Sequence, residues 1–275
     1  MKITTWNVNG LRAREGDLAT WLKTEKPDVV CLQEIKASLA QVPVSLHALE
    51  GYWRYWHGGT GGYSGVALLV SKSLAPKHPK FAHPEFDHES RIVTVDLAGV
   101  TVASIYVPNG GKDFAAKMRF LEAMERFTAT HQNLILCGDL NVALEPRDVH
   151  EKLSNPKQIG QTQEERELLS KIIGHGLSDL LRRFSPDDPN LFTWWAPWRN
   201  YRGLNVGWRL DYVLASDALA AKAKSCRVER EFGQSDHGPV TAVFEGPLFD
   251  PAKLEEGPAQ PKPEPEQKPQ LGLFD

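Results

Sequence analysis

Cysteine is nearly absent from this chain. Its 275 residues hold three, Cys31, Cys137 and Cys226. They cannot all pair, so a disulfide framework is excluded and a packed core must hold the fold. Two of them lie inside apolar runs, where a thiol behaves as a small core residue. The setting expected is reducing and cytoplasmic. Long apolar runs are also missing: none approaches the roughly 18 residues of a membrane helix. The N-terminus opens directly on a strand-like run, Lys2 to Trp6, with no apolar leader or cleavage site. An excess of positive charge is missing too. The formal net charge is −3, which looks wrong for a nucleic-acid partner. Residues 246–275 distort that count: six acids and three lysines there account for the whole −3 and leave the body neutral. A neutral body with clustered acids can carry a basic rim, so overall charge does not decide the partner.

What the chain does have is a repeated placement of hard polar residues directly after short apolar strands. Ile3–Trp6 runs into Asn7 and Asn9, and Val29–Leu32 into Gln33 and Glu34. Val102–Ile105 runs into Tyr106 and Asn109, and Leu134–Cys137 into Gly138, Asp139 and Asn141. Asp211 follows Trp208-Arg209-Leu210, and Ser235-Asp236-His237 precedes the apolar stretch Val240–Phe244. A sheet gathers its strand ends at a rim. Carboxylates, carboxamides, a phenol and a histidine gathered there suit a divalent metal, a phosphate and an activated water.

Residues 1–245 alternate strands and helices without a linker. Helical stripes are read over Leu11–Lys23, Phe114–Thr128, Glu164–Ile173 and Leu177–Phe184. Strands are read near 52–57, 65–71, 91–97, 100–107, 133–138, 191–195, 209–215, 223–229 and 239–245, besides the two at 2–6 and 28–33. Turn-like pieces between neighbours predict antiparallel pairs. The mixture predicts an α/β fold of two stacked sheets with helices outside. After Gly246, prolines at 247, 251, 258, 261, 263, 265 and 269 fall among Glu, Gln and Lys. The reading is a domain over 1–249 and a tail over 250–275, disordered and extended over 250–268.

Taken singly, the motifs have plain explanations. Asn9-Gly10 is common turn chemistry, and Glu34 alone reads as a solvent-facing acid at a strand end. Gly138-Asp139-Leu140-Asn141 is stronger, because Gly allows a sharp turn and residues two apart face the same way. Ser235-Asp236-His237 is the sharpest signal: a histidine kept protonated by a carboxylate, with Asp211 as candidate, can donate to a phosphoryl oxygen.

Together, Trp6-Asn7-Val8-Asn9-Gly10-Leu11-Arg12, Leu32-Gln33-Glu34, Tyr106-Val107-Pro108-Asn109-Gly110, Gly138-Asp139-Leu140-Asn141-Val142, Trp208-Arg209-Leu210-Asp211-Tyr212 and Ser235-Asp236-His237 stand in the order of the exonuclease III family of apurinic/apyrimidinic (AP) endonucleases, which this chain resembles over residues 1–245. That family lies in the endonuclease/exonuclease/phosphatase superfamily. The resemblance implies a four-layer α/β sandwich, a monomer, a Mg²⁺ cofactor for which Mn²⁺ can substitute, and double-stranded DNA with abasic sites or 3′ ends as substrate. It implies Glu34 as principal metal ligand with Asn7, Asn9, Asp139 and Asn141 also in the metal set, Asp139 positioning or deprotonating the attacking water, and Asn7 and Asn141 holding water and phosphate. It implies His237 oriented by Asp211, Tyr106 at the phosphate, and Asp236 at a second metal position or orienting its neighbours. Asn9 stands where some relatives have Asp, which lowers the expected metal affinity.

Residues 192–212 gather Phe192, Trp194, Trp195, Trp198, Tyr201, Trp208 and Tyr212 with Arg199, Arg202 and Arg209. Aromatics interleaved with arginines suit a distorted nucleic acid, or form a hydrophobic corner under a loop. By resemblance, Trp194, Trp208 and Leu210 line a pocket for a flipped-out abasic sugar, with Asn109 beside the phosphate and Lys112 and Trp198 at the DNA. Arg91 reads equally as part of the phosphate network or as a structural ion pair. At the C-terminus, Gln270, Leu271, Leu273 and Phe274 resemble the peptide by which bacterial repair proteins dock on the sliding clamp. Two other readings stay open: a superfamily phosphatase on a non-nucleic-acid phosphoester, against which Trp194 and Trp208 argue, and a catalytically silent DNA-binding scaffold, against which the intact Glu34, Asp139, Asp211 and His237 argue.

Overall fold

The structure is a computed structural model that describes residues 1–59 and 62–260. Its strands are β1 (Lys2–Asn7), β2 (Val29–Gln33), β3 (Tyr52–His57), β4 (Val66–Ser71), β5 (Lys80–Ala82), β6 (Ile92–Leu97), β7 (Val100–Tyr106), β8 (Leu134–Asp139), β9 (Leu177–Asp179), β10 (Asp211–Ser216), β11 (Ala223–Val228) and β12 (Val240–Phe244). The helices are α1 (Glu15–Glu25), α2 (Val44–His47), α3 (Phe114–Ala129), α4 (Gln163–Gly174), α5 (Leu180–Phe184) and α6 (Asp217–Ala220).

The strands form two six-stranded sheets, in the orders β11-β12-β1-β2-β4-β3 and β5-β6-β7-β8-β10-β9. Each sheet has one parallel pair at its centre, β1 with β2 and β7 with β8, and antiparallel neighbours elsewhere. The expected antiparallel pairs β3–β4 and β6–β7 are present.

Alternation along the central strands creates the layers. In β2, Val29 and Cys31 face the core between the sheets, while Val30 and Leu32 meet Leu18 and Leu22 of α1 and Leu46 of α2. In β8, Ile135 and Cys137 point between the sheets, and Leu134 and Leu136 meet Leu121 and Met124 of α3. Both faces of each central strand are dry, which gives helix, sheet, sheet and helix in succession.

One polar bridge crosses the inter-sheet core. Gln33 donates from Nε2 to Ser104 Oγ at 3.1 Å and accepts from Thr5 Oγ1 at 3.2 Å, while Ser104 donates to the Leu32 carbonyl at 3.1 Å. It fixes β2 against β7 directly beneath the rim where Glu34 and Tyr106 emerge. None of the described helices is long and apolar enough to cross a membrane.

Three expectations need correction. Residues 191–195 are not a strand. Trp194 makes only single bridges, to Trp208 and to His237, because three chain segments meet there rather than two. Leu177–Phe184 is not one helix: β9 comes first, paired to β10, and Asp179 then caps the short α5. Residues 250–260 are not free of the body. Leu254 is buried with Leu248 and Phe249 in the core between the sheets. The Gly257 N–H donates to the His78 carbonyl at 2.8 Å, and Gln260 bonds both backbone groups of Trp56 on edge strand β3. Gly257 comes so close to β5 that a Cβ would lie 2.6 Å from the Lys80 Cα. A sheet edge left open exposes unpaired N–H and C=O groups, and this segment covers part of two of them. The clamp-like peptide at 270–274 lies outside the described residues.

Leu254→Ala is expected to lower unfolding stability by about 2–3 kcal/mol, as for other buried leucines truncated in a core. Denaturant melts of the two proteins measure it, and unchanged midpoints would show that the segment adds nothing to the fold.

Candidate active site

The site forms where parallel strands end and antiparallel strands begin. The C-terminal ends of β1, β2, β7 and β8 bring Asn7, Glu34, Tyr106 and Asp139, and the starts of β10 and β12 bring Asp211 and the loop with His237. Gly138 makes the closest approach possible. Its φ is +154°, and a Cβ there would lie 1.9 Å from the Ile105 carbonyl oxygen. No other residue fits beside β7. Glu34 and Asn141 follow their strands with φ of +49° and +51°, so each turns sharply out of its strand into the rim.

Asn7 is the hub. It is fully buried, and its Nδ2 donates to Glu34 Oε1 at 2.9 Å and to Asp139 Oδ2 at 3.0 Å, joining a carboxylate of each sheet. Its Oδ1 is taken by the Asn9 N–H at 3.0 Å. Asn9 stretches between Lys36 and Asp236: its oxygen accepts from Lys36 Nζ at 2.5 Å, and its Nδ2 donates to Asp236 Oδ1 at 2.8 Å. Both carboxamides are thus committed to protein partners. Carboxylate oxygens of Glu34 and Asp139 and a His237 nitrogen lie within 4.8 Å of one another, close enough to hold one cation.

Asp139 is fixed by the Asn141 N–H on Oδ1 at 2.9 Å. Burial pushes its carboxyl up to about 7; the neighbouring His237 opposes that rise, and the Asp211 and Glu34 carboxylates add to it. Burial alone would also raise Glu34, but hydrogen bonds from Asn7 and Lys36, with the Lys36 charge at 2.7 Å, hold it below the usual carboxylate range. His237 donates from Nδ1 to Asp211 Oδ2 at 2.8 Å, and Thr193 Oγ1 donates to the same oxygen at 2.6 Å. Burial disfavours a charge on this imidazole, yet Asp211, Asp139 and Asp236 overcome it and lift it to about 10. An imidazolium therefore sits with Nε2 3.8 Å from Asp139 Oδ2 at neutral pH. Burial, with Glu34 and Asp139 nearby, raises the Tyr106 hydroxyl far above its ordinary value, so it keeps its proton.

Asp236 accepts from Asn9 and, through Oδ2, from Trp194 Nε1 at 3.0 Å, an orienting position between the acids and the aromatic wall. Trp194 exchanges both backbone hydrogen bonds with Trp208 at 2.9 Å, and their rings meet edge to face at 5.8 Å. A cleft of about 490 Å³ results, lined by Glu34, Tyr106, Asp139, Asn141 and His237 on one side and by Trp194, Trp208 and Leu210 on the other, with Asn109 and Asp236 also lining it.

Not every candidate belongs to this cleft. Arg91 stands behind it, only 3% exposed, its guanidinium 5.1 Å from the Tyr106 ring and paired with Glu89. Lys112 lies outside, over the exposed ring of Tyr63 at 5.2 Å, and Trp198 projects from a turn at 58% exposure. Of the arginines interleaved with the aromatics of 192–212, two are structural. Arg209 is fully buried between Asp148 and Asp179, and Arg202 donates to the backbone carbonyls of Arg230 and Phe232. Lys36, Thr193 and Ser235 enter the network without having been singled out as site residues. Ser235 Oγ donates to the Asn7 carbonyl at 2.7 Å. A lone Lys or Thr beside a motif carries no signal separating it from a surface residue, so only the fold could find Lys36 and Thr193.

A family model described as the Endonuclease/Exonuclease/phosphatase family matches residues 4–237. The chain is 35% identical over 259 residues to the DNA repair nuclease APEX1 of Danio rerio, covering 88% of this chain and 81% of that protein. It is 32% identical over 252 residues to the exodeoxyribonuclease of Bacillus subtilis, covering 89% and 99% respectively. It is 35% identical over 253 residues to recombination repair protein 1 of Drosophila melanogaster, covering 89% of this chain but only 37% of that longer protein. Among solved structures, the 3′-5′ exonuclease NExo of Neisseria meningitidis superposes with a TM-score of 0.80 at 30% identity, over 90% of this chain and 100% of that one. An AP endonuclease from Archaeoglobus fulgidus superposes with a TM-score of 0.78 at 30% identity, over the same shares. The matched span begins inside β1 and ends on His237 itself, so it encloses Asn7, Glu34, Tyr106, Asp139, Asp211 and His237, and the chain belongs to the endonuclease/exonuclease/phosphatase family, on its AP endonuclease and exodeoxyribonuclease side.

Proposed function

We propose that this chain is a Mg²⁺-dependent DNA repair nuclease that hydrolyses the phosphodiester 5′ to an abasic site and also trims 3′ ends. The observation that carries the reading is one cleft in which a buried Asp139–His237–Asp211 set faces an aromatic wall of Trp194 and Trp208. The names of the relatives, a DNA repair nuclease and an exodeoxyribonuclease, support the substrate class.

The donor set fits a hard divalent cation. Among the described residues, the carboxylates of Glu34, Asp139, Asp211 and Asp236 form ion pairs only with Lys36 and the His237 imidazolium, so acids outnumber the cations paired with them. Glu34 and Asp139 would hold the ion, Mg²⁺ by preference with Mn²⁺ as substitute. When bound, it offsets charge on the phosphate and favours in-line attack by water.

The remaining work falls to side chains. His237 donates to a phosphoryl oxygen, and Asp211 keeps it charged and aimed. Asp139 orients the attacking water or takes its proton, and a cation beside it would favour the ionised carboxylate that this role needs. Asn7 and Asn141 hold that carboxylate in place. Tyr106 offers its proton to the phosphate or to the departing 3′ oxygen. Trp194, Trp208 and Leu210 wall a pocket for the extruded sugar, which leaves the duplex at lower cost when it carries no base. Asn109 approaches the phosphate from the other lip, and Lys112 and Trp198 reach the DNA from outside the cleft. The chain acts as a monomer, and three free, buried thiols support a reducing, cytoplasmic setting.

The test is a rate comparison on a duplex with one abasic analogue, on a recessed undamaged 3′ end and on an inositol phosphate, with and without Mg²⁺. Cleavage of the abasic duplex only with metal is expected; inositol phosphate turnover instead would replace this reading. Glu34→Ala should raise the Mg²⁺ concentration needed for half-maximal cleavage by about tenfold or more while DNA binding holds. Unchanged activity at limiting Mg²⁺ would remove Glu34 from the metal.

The His237–Asp211 pair makes a separate prediction for metal-free protein. A folded value of about 10 lies above the unfolded 6.5, so its stabilisation is complete below about pH 6.5 and disappears as pH rises through about 10. The stability difference between wild type and His237→Gln, on the order of a few kcal/mol near pH 6, should therefore shrink toward pH 10. Chelator-treated urea melts across that range measure it, and a pH-independent difference contradicts the pairing.

The C-terminal peptide is proposed as a docking sequence for the bacterial sliding clamp. Leu273 and Phe274 would enter an apolar pocket and Gln270 would make polar contacts beside Leu271, with the proline-rich stretch as a stiff spacer. Titrating purified clamp with the intact chain and with residues 1–268 should show binding only by the intact chain, with equal turnover on a short abasic duplex. Equal affinities would end the proposal.

A further inference from the structure

Strands β3 and β5 are edge strands of different sheets, and they lie on the same side of the sandwich. Aromatic pairs tie one to the other. Trp53 meets His78 at 5.0 Å, Tyr55 stacks on Phe81 at 5.6 Å, and His57 stacks on His83 at 4.5 Å with ring planes 15° apart. The last pair differs from the others because a carboxylate joins it. Asp87 Oδ2 lies 2.7 Å from His57 Nε2. Ligand-capable atoms of His57, His83 and Asp87 all fall within 4.8 Å of one another. Among the described residues only one other such group exists, the Glu34, Asp139 and His237 set of the cleft.

We propose that His57, His83 and Asp87 bind a late first-row divalent cation, Zn²⁺ foremost, as a second metal site that fastens the edges of the two sheets together. Two imidazoles and one carboxylate are borderline donors that suit Zn²⁺ and disfavour Mg²⁺, so the donor chemistry differs from that of the cleft. Bond lengths of roughly 2.0–2.2 Å at tetrahedral angles place neighbouring ligand atoms roughly 3.4 Å apart. The stacked rings must tilt for their in-plane lone pairs to converge on one ion, and His83, which is exposed, is free to turn.

Asp87 is prepared for the role. Its side chain is fully buried, and its two oxygens accept the N–H groups of Glu89 at 3.4 Å, Arg91 at 2.9 Å and Ile92 at 3.2 Å. A carboxylate offers about four lone-pair directions. Three serve the backbone, and the fourth is aimed at His57. The cation takes the place of the proton shared there, while the backbone contacts hold the ligand's orientation. Three protein ligands leave one position for water.

The same contacts connect this site to the cleft. Asp87 holds the backbone of Arg91, whose guanidinium lies against the Tyr106 ring. Ser90 Oγ donates to the carbonyl of Gly58, the residue after His57. A cation bound here thus stiffens the support behind Tyr106 without touching the reacting groups.

The test uses the intact chain, stripped with chelator and then titrated with Zn²⁺ by calorimetry in saturating Mg²⁺. Wild type, His83→Gln and Glu34→Gln are compared, and thermal midpoints are read with and without Zn²⁺. One Zn²⁺ equivalent is expected to persist in Glu34→Gln, to weaken at least tenfold in His83→Gln, and to raise the midpoint only where it binds. Because His83 is exposed, its variant should fold and keep wild-type Mg²⁺-supported cleavage in the absence of Zn²⁺. A second reading comes from Co²⁺, whose tetrahedral visible bands should appear in wild type and vanish in His57→Gln. Identical Zn²⁺ isotherms for wild type and His83→Gln, or no equivalent left in Glu34→Gln, would overturn the proposal.

Discussion

The rest of the molecule is organised around a costly demand: acids from two separate sheets must be buried side by side. An isolated charge in such a place is unfavourable by several kcal/mol, and two like charges are worse. The solution is a single carboxamide, Asn7, with one N–H₂ group shared between Glu34 and Asp139. Compensating charge comes from opposite sides, Lys36 on Glu34 and the His237 imidazolium near Asp139. Asp211 keeps that imidazole charged but is itself a further acid, and its Oδ1 has no protein partner among the described residues. Every group at the rim is therefore conditional on the two sheets being held in one register.

Several buried contacts secure that register. Gln33 and Ser104 bridge the sheets one step below the acids. On the outer side, Lys117 and Glu165 form a fully buried pair at 2.5 Å, and Lys117 also donates to the Asn141 carbonyl at 2.7 Å. Glu165 belongs to the capping box of α4 and accepts from the Gly160 N–H, and Gly160 itself presses on the Trp208 ring. One ion pair thus links the acidic wall to the aromatic wall. Arg209 plays a comparable part with Asp148 and Asp179, anchoring the loop from which Trp208 and Leu210 reach the cleft. Ion pairs of this kind define geometry more surely than they add stability.

The sequence was legible where local pattern and global fold ask for the same thing. Strands with hard polar residues at their ends, such as Val29–Glu34 and Leu134–Asp139, point both to a packed sheet and to a site at its rim. The site was less legible where a partner is distant. Arg209 sits among tryptophans and reads as a nucleic-acid contact, but its fate is decided by Asp148, 61 residues away. Lys36 and Asp236, which hold the two ends of the Asn9 side chain, stand 27 and 227 residues away from it. Residues 250–260 have the composition of a tail, yet Leu254 finds a place in the core because an open sheet edge is there to be covered. In each case the missing information was tertiary, and no local rule supplies it.

The order of strands along the chain has a consequence for synthesis. The second sheet is built entirely from β5 to β10, one continuous stretch, whereas the first is assembled from β1–β4 and then β11–β12. Strand β1 is centrally placed and pairs with β12 from Lys2 opposite Val243 to Thr5 opposite Val240. A growing chain emerging from the ribosome can complete its second sheet first. The first sheet keeps one long edge unpaired until β12 emerges, and His237 lies in the loop just ahead of that strand. Completion of the site and closure of the sandwich therefore arrive together, once β12 has emerged, and a chain stopped short of that strand displays Glu34 and Asp139 without the imidazole that answers them.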